Sequence, residues 1–206
     1  MIMYTCAFCK KHSCEAENPE PMPQNCPRRE TEVLKQVKET YRDPKAAKLA
    51  YHAALVEAEG YCEKTRLDEI IDFAKRCGFQ KLGVAFCIGL SREAEVFCTI
   101  LRHHGFEVVS VICKNGGIPK EYLGIKEQEK VRPGTYEPMC NPVGQAVLLN
   151  KAQTEFNIIL GLCVGHDSLF IKYADAPVTV FAVKDRVLAH NPLGAIYLAD
   201  SYYRQK

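Results

Sequence analysis

No run of apolar residues in this chain approaches the roughly 18 to 20 needed to cross a bilayer, which argues against a membrane-spanning helix. The opening residues, Met1-Ile2-Met3-Tyr4-Thr5-Cys6, lack the basic stretch and long apolar core of a secretory leader, so a cytoplasmic protein is expected. An excess of one charge is missing too. A formal net charge of +2 argues against a dedicated electrostatic surface for nucleic acid. There is no G-x-x-x-x-G-K-[ST] loop and no G-x-G-x-x-G after a strand, which weakens a nucleotide- or phosphate-binding reading. Without a G-x-S-x-G elbow or an H-E-x-x-H helix, no hydrolase motif stands out either.

What the chain does have is cysteine, 11 in 206 residues. A reducing compartment keeps thiols unpaired, so clustered cysteines there more often bind metal or do chemistry than form structural disulfides. The odd count also rules out a complete set of disulfides within one chain. A hydrophobic content of 47% is ordinary for a globular protein and sufficient for a core.

Three regions are expected. Residues 1–27 contain four cysteines and several prolines but little periodicity, and can bury little apolar surface. Residues 28–66 read as a helical connector, with helices over about 28–41 and from Pro44, a favoured first helical residue, to about Cys62. Residues 67–206 alternate helices with short apolar runs. Strands are expected at Lys81–Phe86, Glu107–Ile112, Asn157–Leu162 and Val178–Val183. Helices are expected at Leu67–Cys77, at 92–104 with Ser91 as its cap, and at about Pro142–Ala152. Continuous apolar runs separated by helices predict an α/β fold with a parallel, Rossmann-like three-layer sheet of about four or five strands. The polar segment 114–139 reads as a long excursion over the ligand edge.

The cysteines fall into two groups. Cys6, Cys9, Cys14 and Cys26 form a C-x2-C-x4-C-x11-C knuckle followed by Pro27. Four thiolates at this spacing suit a tetrahedral zinc or an iron–sulfur cluster such as [4Fe–4S], and His12 is a possible substitute ligand. A metal would be physically useful there, because its binding free energy becomes folding free energy. The second group emerges only once the strands are placed. Cys87, Cys113 and Cys163 each follow a strand, and Cys140 stands just before a helix. In a parallel sheet the carboxyl ends share one edge, where ligands bind, so these four thiols are expected to converge on a second metal or [4Fe–4S] site. The glycines after Cys87 and Cys163 would let backbone amides approach a cluster or an anion. His166, Lys184 and Arg186 are candidate contacts on that edge, although a solvated loop is an equally good account of Lys184-Asp185-Arg186. Cys62, Cys77 and Cys98 fit helix-packing thiols, His52, His103 and His104 fit surface or packing residues, and His190-Asn191-Pro192 fits a turn.

The knuckle, Phe86-Cys87-Ile88-Gly89-Leu90, Cys140-Asn141-Pro142-Val143-Gly144-Gln145-Ala146, Gly161-Leu162-Cys163-Val164-Gly165-His166-Asp167 and Val183-Lys184-Asp185-Arg186-Val187-Leu188 together resemble one family. It is the family of uncharacterised metal-binding proteins, a domain-of-unknown-function family found mainly in anaerobic bacteria and archaea. The resemblance implies metal binding and an anaerobic setting, and no particular reaction. Two functions follow as expectations. One is a redox or sulfur-handling protein using an iron–sulfur cluster at the sheet edge, with a small-molecule or redox partner. The other is a non-catalytic zinc-binding structural or metal-sensing module.

Overall fold

The computed structural model describes residues 3–17, 21–202 and 204. The chain forms two compact units, Met1–Ala58 and Glu59–Lys206.

In the first unit, no described residue before Val56 is buried. Order comes from polar contacts instead. The Arg28 guanidinium donates to the carbonyls of Ser13, Ala16 and Glu17, and Arg29 donates to those of Met22 and Pro23. Asn25 Nδ2 donates to Thr5 Oγ1 at 2.6 Å, closing the loop across its two ends. Single 3-10 turns at Cys6–Phe8 and Pro27–Arg29 precede helix α1, Thr31–Thr40, and helix α2, Pro44–Gly60. The expected helix from residue 28 thus starts later, because Pro27–Arg29 closes as a tight turn. Helix α2 ends at Gly60, which leaves Cys62 exposed with φ 58°. The expectation that Cys62 packs a helix fails there, since the helix stops before it.

The second unit is built on four strands: β1 Lys81–Phe86, β2 Glu107–Ile112, β3 Phe156–Leu162 and β4 Val178–Val183. They form one parallel sheet in the order β2-β1-β3-β4. Helices α3 (Arg66–Arg76), α4 (Ser91–His103), α5 (Pro142–Lys151) and α6 (His166–Tyr173) accompany it, with a short α7 at Leu193–Tyr197. Strand alternation sorts the core into two layers. Leu82, Val84, Ile158 and Leu160 pack with Ile70, Ile71, Phe97 and Leu101 of α3 and α4. Ala85, Ile159 and Leu162 pack with Ala146, Leu149 and Phe170 of α5 and α6. The sheet is therefore covered on both faces, as its continuous apolar strands require.

Helix α3 begins with a capping box in which the Thr65 side chain accepts from Asp68 N and Asp68 accepts from Thr65 N. Ser91 is not the cap of α4. It is the first helical residue, and its hydroxyl donates to Ile88 O at 2.6 Å. Gly83 sits opposite Asn157 in the sheet, where a Cβ would lie 2.0 Å from Asn157 Oδ1. The segment 114–139 contains three 3-10 turns and an isolated antiparallel bridge between Pro119 and Pro138. Its anchor is Lys130, whose ammonium is buried between Glu121 and Glu127. Among the described residues, no helix is long and apolar enough to cross a membrane.

Candidate thiol site at the carboxyl edge of the sheet

Strand order reverses between β1 and β3, since β2 lies outside β1 and β4 outside β3. Ligands of open parallel sheets bind outside the carboxyl ends at such a switch point. Cys87 leaves β1 and Cys163 leaves β3, on either side of the reversal. Cys113 leaves β2 one residue past the Phe86–Ile112 pair, and its amide donates to Phe86 O at 2.9 Å. Cys87 and Cys113 are therefore neighbours in register. Cys140 precedes α5 and packs on the same core layer as both of them.

Cys87 and Cys113 are buried in one core layer with Cys140 packed against it, close enough for Cys113 to perturb both, and for His166 to perturb Cys140. Ile88 N donates to Cys113 Sγ at 3.3 Å. Cys163 stands apart from this chain of thiols, where Arg186 Nη2 donates to its sulfur at 3.3 Å. Cys87 and Cys113 are buried, and Cys140 and Cys163 are half-buried.

Charge explains which sulfur holds a proton. Cys87 falls to about 5, first because Cys113 donates to it and then through the Gly89 amide and Lys184, against the cost of burial. Cys140 falls to about 4, again first through Cys113, then through His166 and Lys114. Cys113 moves the other way. Its neighbours Cys140 and Cys87 and its own burial keep its S–H intact, and its one proton can go to either neighbour. His166 is raised, mainly by its bond to Cys140, and Arg186 is raised mainly by Cys163 and further by Cys87 and Cys140. Lys114, His166, Lys184 and Arg186 thus all bear on these sulfurs.

Two glycines let Lys184 in. A Cβ on Gly89 would lie 3.5 Å from Lys184 Nζ and 4.0 Å from Cys87 Sγ, and one on Gly161 would lie 3.7 Å from Nζ. Gly161 has φ +71° and sits at an irregularity in the β3–β4 pairing, a bulge that re-aims the strand end toward Cys163. Arg186 is held by its own turn. Asp185 accepts from Val187 N and Leu188 N, and His190 Nδ1 accepts from Asp185 N at 3.1 Å. His190 is therefore a brace for the Arg186 loop, which its place after Asp185-Arg186 did not announce.

Other residues of the site were not legible as such. Asn115 and Asn141 join the Cys113 and Cys140 loops: Asn115 Nδ2 donates to Asn141 O, and Asn141 Nδ2 to Asn115 Oδ1, both at 3.0 Å. Asn141 Oδ1 also caps α5 by accepting from Gly144 N. A signal was present, because each asparagine follows a cysteine by one or two positions. Gln145 is fully buried, and its Nε2 donates to Phe86 O and Val111 O just before Cys87 and Cys113. Its Oε1 has no hydrogen-bond partner among the described residues. Lys114, read earlier only as the start of a polar excursion, acts on Cys140 through space. Of the helix-packing thiols, Cys77 and Cys98 are buried.

In the first unit, Cys6, Cys9, Cys14 and Cys26 line one cavity of 380 Å³ together with His12, Lys10, Lys11 and Arg28. The donor chemistry of both cysteine sets fits zinc or an iron–sulfur cluster, since thiolates are the ligands of each. Neither set is arranged as a finished metal cage. Among the described residues, no group of three or more His, Cys, Asp or Glu side chains is disposed to hold a metal ion.

Fold and site together define a parallel α/β protein with a cysteine-lined switch point. Residues 26–181 match the family described as protein of unknown function (DUF1847), and the chain belongs to that family. The matched span takes in Cys26 and all four edge cysteines, and begins after Cys6, Cys9 and Cys14. A relative from Methanocaldococcus jannaschii, described as an uncharacterised protein, is 49% identical over 175 residues, covering 85% of this chain and 88% of the relative. No solved structure matches the chain.

Proposed function

We propose that the chain is a metal-binding protein with two cysteine sites. Cys6, Cys9, Cys14 and Cys26 hold zinc or a [4Fe–4S] cluster. Cys87, Cys113, Cys140 and Cys163 hold a second metal or a [4Fe–4S] cluster used for redox or sulfur-handling chemistry. The observation that carries this reading is that Cys87, Cys113 and Cys140, from three separate segments, share one core layer at the switch point, with Cys163 at the neighbouring strand end and cationic side chains around them. Thiolates bound to a metal keep net negative charge, and Lys114, His166, Lys184 and Arg186 suit that charge. The bound group would supply electron transfer or Lewis acidity. The chain's own part is to fix the sulfurs and to present cations to an anionic partner.

A purely structural or sensing zinc module is the second reading, favoured by the four N-terminal cysteines that line one cavity. The deciding experiment is anaerobic purification with an absorption spectrum and a count of iron, sulfide and zinc on the same sample. A broad visible band with matching iron and sulfide, lost in Cys87→Ser and retained in Cys9→Ser, supports the edge cluster. A colourless protein with about one zinc per chain, retained in Cys87→Ser, leaves only the zinc module.

A further inference from the structure

Strand β2 lies at one border of the sheet and pairs only with β1. The amides of Glu107 and Cys113 donate to Gln80 O and Phe86 O, so residues 107, 109, 111 and 113 turn their N–H and C=O groups toward β1. Val108, Ser110 and Ile112 therefore turn theirs outward. Arg102 Nη2 donates to Val108 O at 3.3 Å, and Asn115 Nδ2 to Ile112 O at 2.9 Å. Between those two carbonyls, the backbone N–H and C=O of Ser110 bond no described residue. The opposite border differs, since Arg66 covers Val180 O and Thr179 Oγ1 on β4. An open edge bearing Val108, Val109, Val111 and Ile112, with no proline or lysine among them, is a template for another strand.

Both faces beside this edge are suited to a partner. On one, α4 leaves a groove of 240 Å³ lined in part by Ser91, Glu95, Cys98, Arg102 and Ser110. Arg102 reaches Val108, and four helical residues rise about as far as two strand residues, roughly 6 Å, so Cys98 lies level with Ser110. Glu95 then stands about 4.5 Å to one side of that level and Arg102 about 6 Å to the other. On the opposite face, Leu148 of α5 is 45% exposed. It follows Gly144 by one turn, and a Cβ on Gly144 would lie 2.2 Å from Asn115 Oδ1, just past β2. Asn150 Nδ2 bonds Tyr173 O of α6 on the other flank of α5. Gln145 reaches Val111 O, and three helical residues further, about 4.5 Å, bring Leu148 near the level of Ser110.

We propose that β2 pairs antiparallel with β2 of a second copy of this chain, centred on Ser110, and so joins two four-stranded sheets into one. A two-fold axis there lets each Ser110 exchange both backbone hydrogen bonds with the other. Val108 of one copy then pairs with Ile112 of the second, and each carbonyl has a second lone pair beside its Arg102 or Asn115 bond. Helix α4 packs on both β1 and β2, so its two copies run antiparallel about 10 Å apart, an ordinary helix-packing distance. The same axis sets Glu95 against Arg102 of the second copy, and Arg102 against its Glu95. A parallel pairing of the strands would set like charge on like. On the α5 face Leu148 meets its counterpart beside Val109 and Val111, which pack on that layer. The surface uses no residue of either cysteine set, and the two thiol edges open at opposite ends of the joined sheet.

The test is sedimentation equilibrium of the full chain, reduced and anaerobic, at up to about 100 μM, where a dimer of micromolar Kd is nearly complete. The wild-type protein is expected at twice the chain mass of 23.2 kDa. Glu95→Arg sets arginine against arginine at both ends of α4 and should weaken the dimer by about tenfold or more, as should Arg102→Glu. The double swap of Glu95→Arg with Arg102→Glu restores opposed charges and should bring Kd back to within about threefold of wild type. Leu148→Glu, which buries a charge at the axis, should give a monomer. Far-ultraviolet circular dichroism checks that each variant is folded. If Arg102→Glu does not fold, Glu95→Arg and Leu148→Glu carry the test, because both positions are exposed. A monomeric wild-type chain overturns the proposal and leaves the β2 border to a strand of a different protein. A dimer that survives both Glu95→Arg and Leu148→Glu also overturns it, as does a folded double swap that stays monomeric.

Discussion

The two cysteine sets differ in what holds them. Cys6, Cys9, Cys14 and Cys26 are close in sequence, in a segment with no buried described residue, tied by arginine and asparagine bonds to backbone carbonyls. The edge cysteines are spread from residue 87 to residue 163, yet three of them share one packed core layer. The first set has a motif but no core to fix it. The second has no motif but is fixed by the sheet. A ligand would therefore do different things in the two places: order a segment in the first, and replace existing thiol contacts in the second.

The largest effect should come from removing metal. If the first set is structural, chelation of the anaerobically isolated protein removes binding free energy on the order of 10 kcal/mol from residues that have no other core. Limited proteolysis should then cut within residues 3–30 while the sheet unit survives. Equal resistance before and after chelation would show that the arginine bonds suffice alone.

A smaller effect probes the sheet edge. Gly161→Ala puts a side chain at φ +71° and 2.2 Å from Leu90 Cδ1, in a layer without slack. A loss of about 3 kcal/mol is expected in urea unfolding. Gly134→Ala, at φ +81° with nothing within 4 Å of the new Cβ, should cost only about 1 kcal/mol. Equal losses would mean that the bulge is not held by packing, and the contrast between a fixed and a loose set would weaken.

The smallest effect concerns pH. Burial raises Asp72, but Lys64 at 2.7 Å and Arg76 at 2.8 Å outweigh it and hold the carboxyl below its usual value. A depressed carboxylate contributes stability that is full above its unfolded value and is lost as pH falls through the folded value. Acid unfolding of the sheet unit should therefore become shallower below about pH 4 in Asp72→Asn. An unchanged acid limb would place its acid sensitivity elsewhere.

Much of the fold was legible in the residues. The bounds of β1, β2 and β4 follow from apolar runs that open on Lys81, on Glu107 and after Pro177, and β3 began one residue early, at Phe156. The short helices α6 and α7 were not seen, because neither offers enough turns for a periodic apolar stripe. Ser91 misled because a serine before a helical pattern usually caps, yet here Leu90 occupies that place.

By itself the sequence determined the parallel α/β sheet, through apolar runs long enough to bury on both faces, and the strand-end positions of Cys87, Cys113 and Cys163. Only the tertiary structure decided which thiols share a core layer. Register set Cys113 beside Cys87, the Asn115–Asn141 clamp brought up Cys140, and the bulge at Gly161 left Cys163 to Arg186. Those contacts depend on strand order and on backbone shifts of a single residue, which no local periodicity encodes.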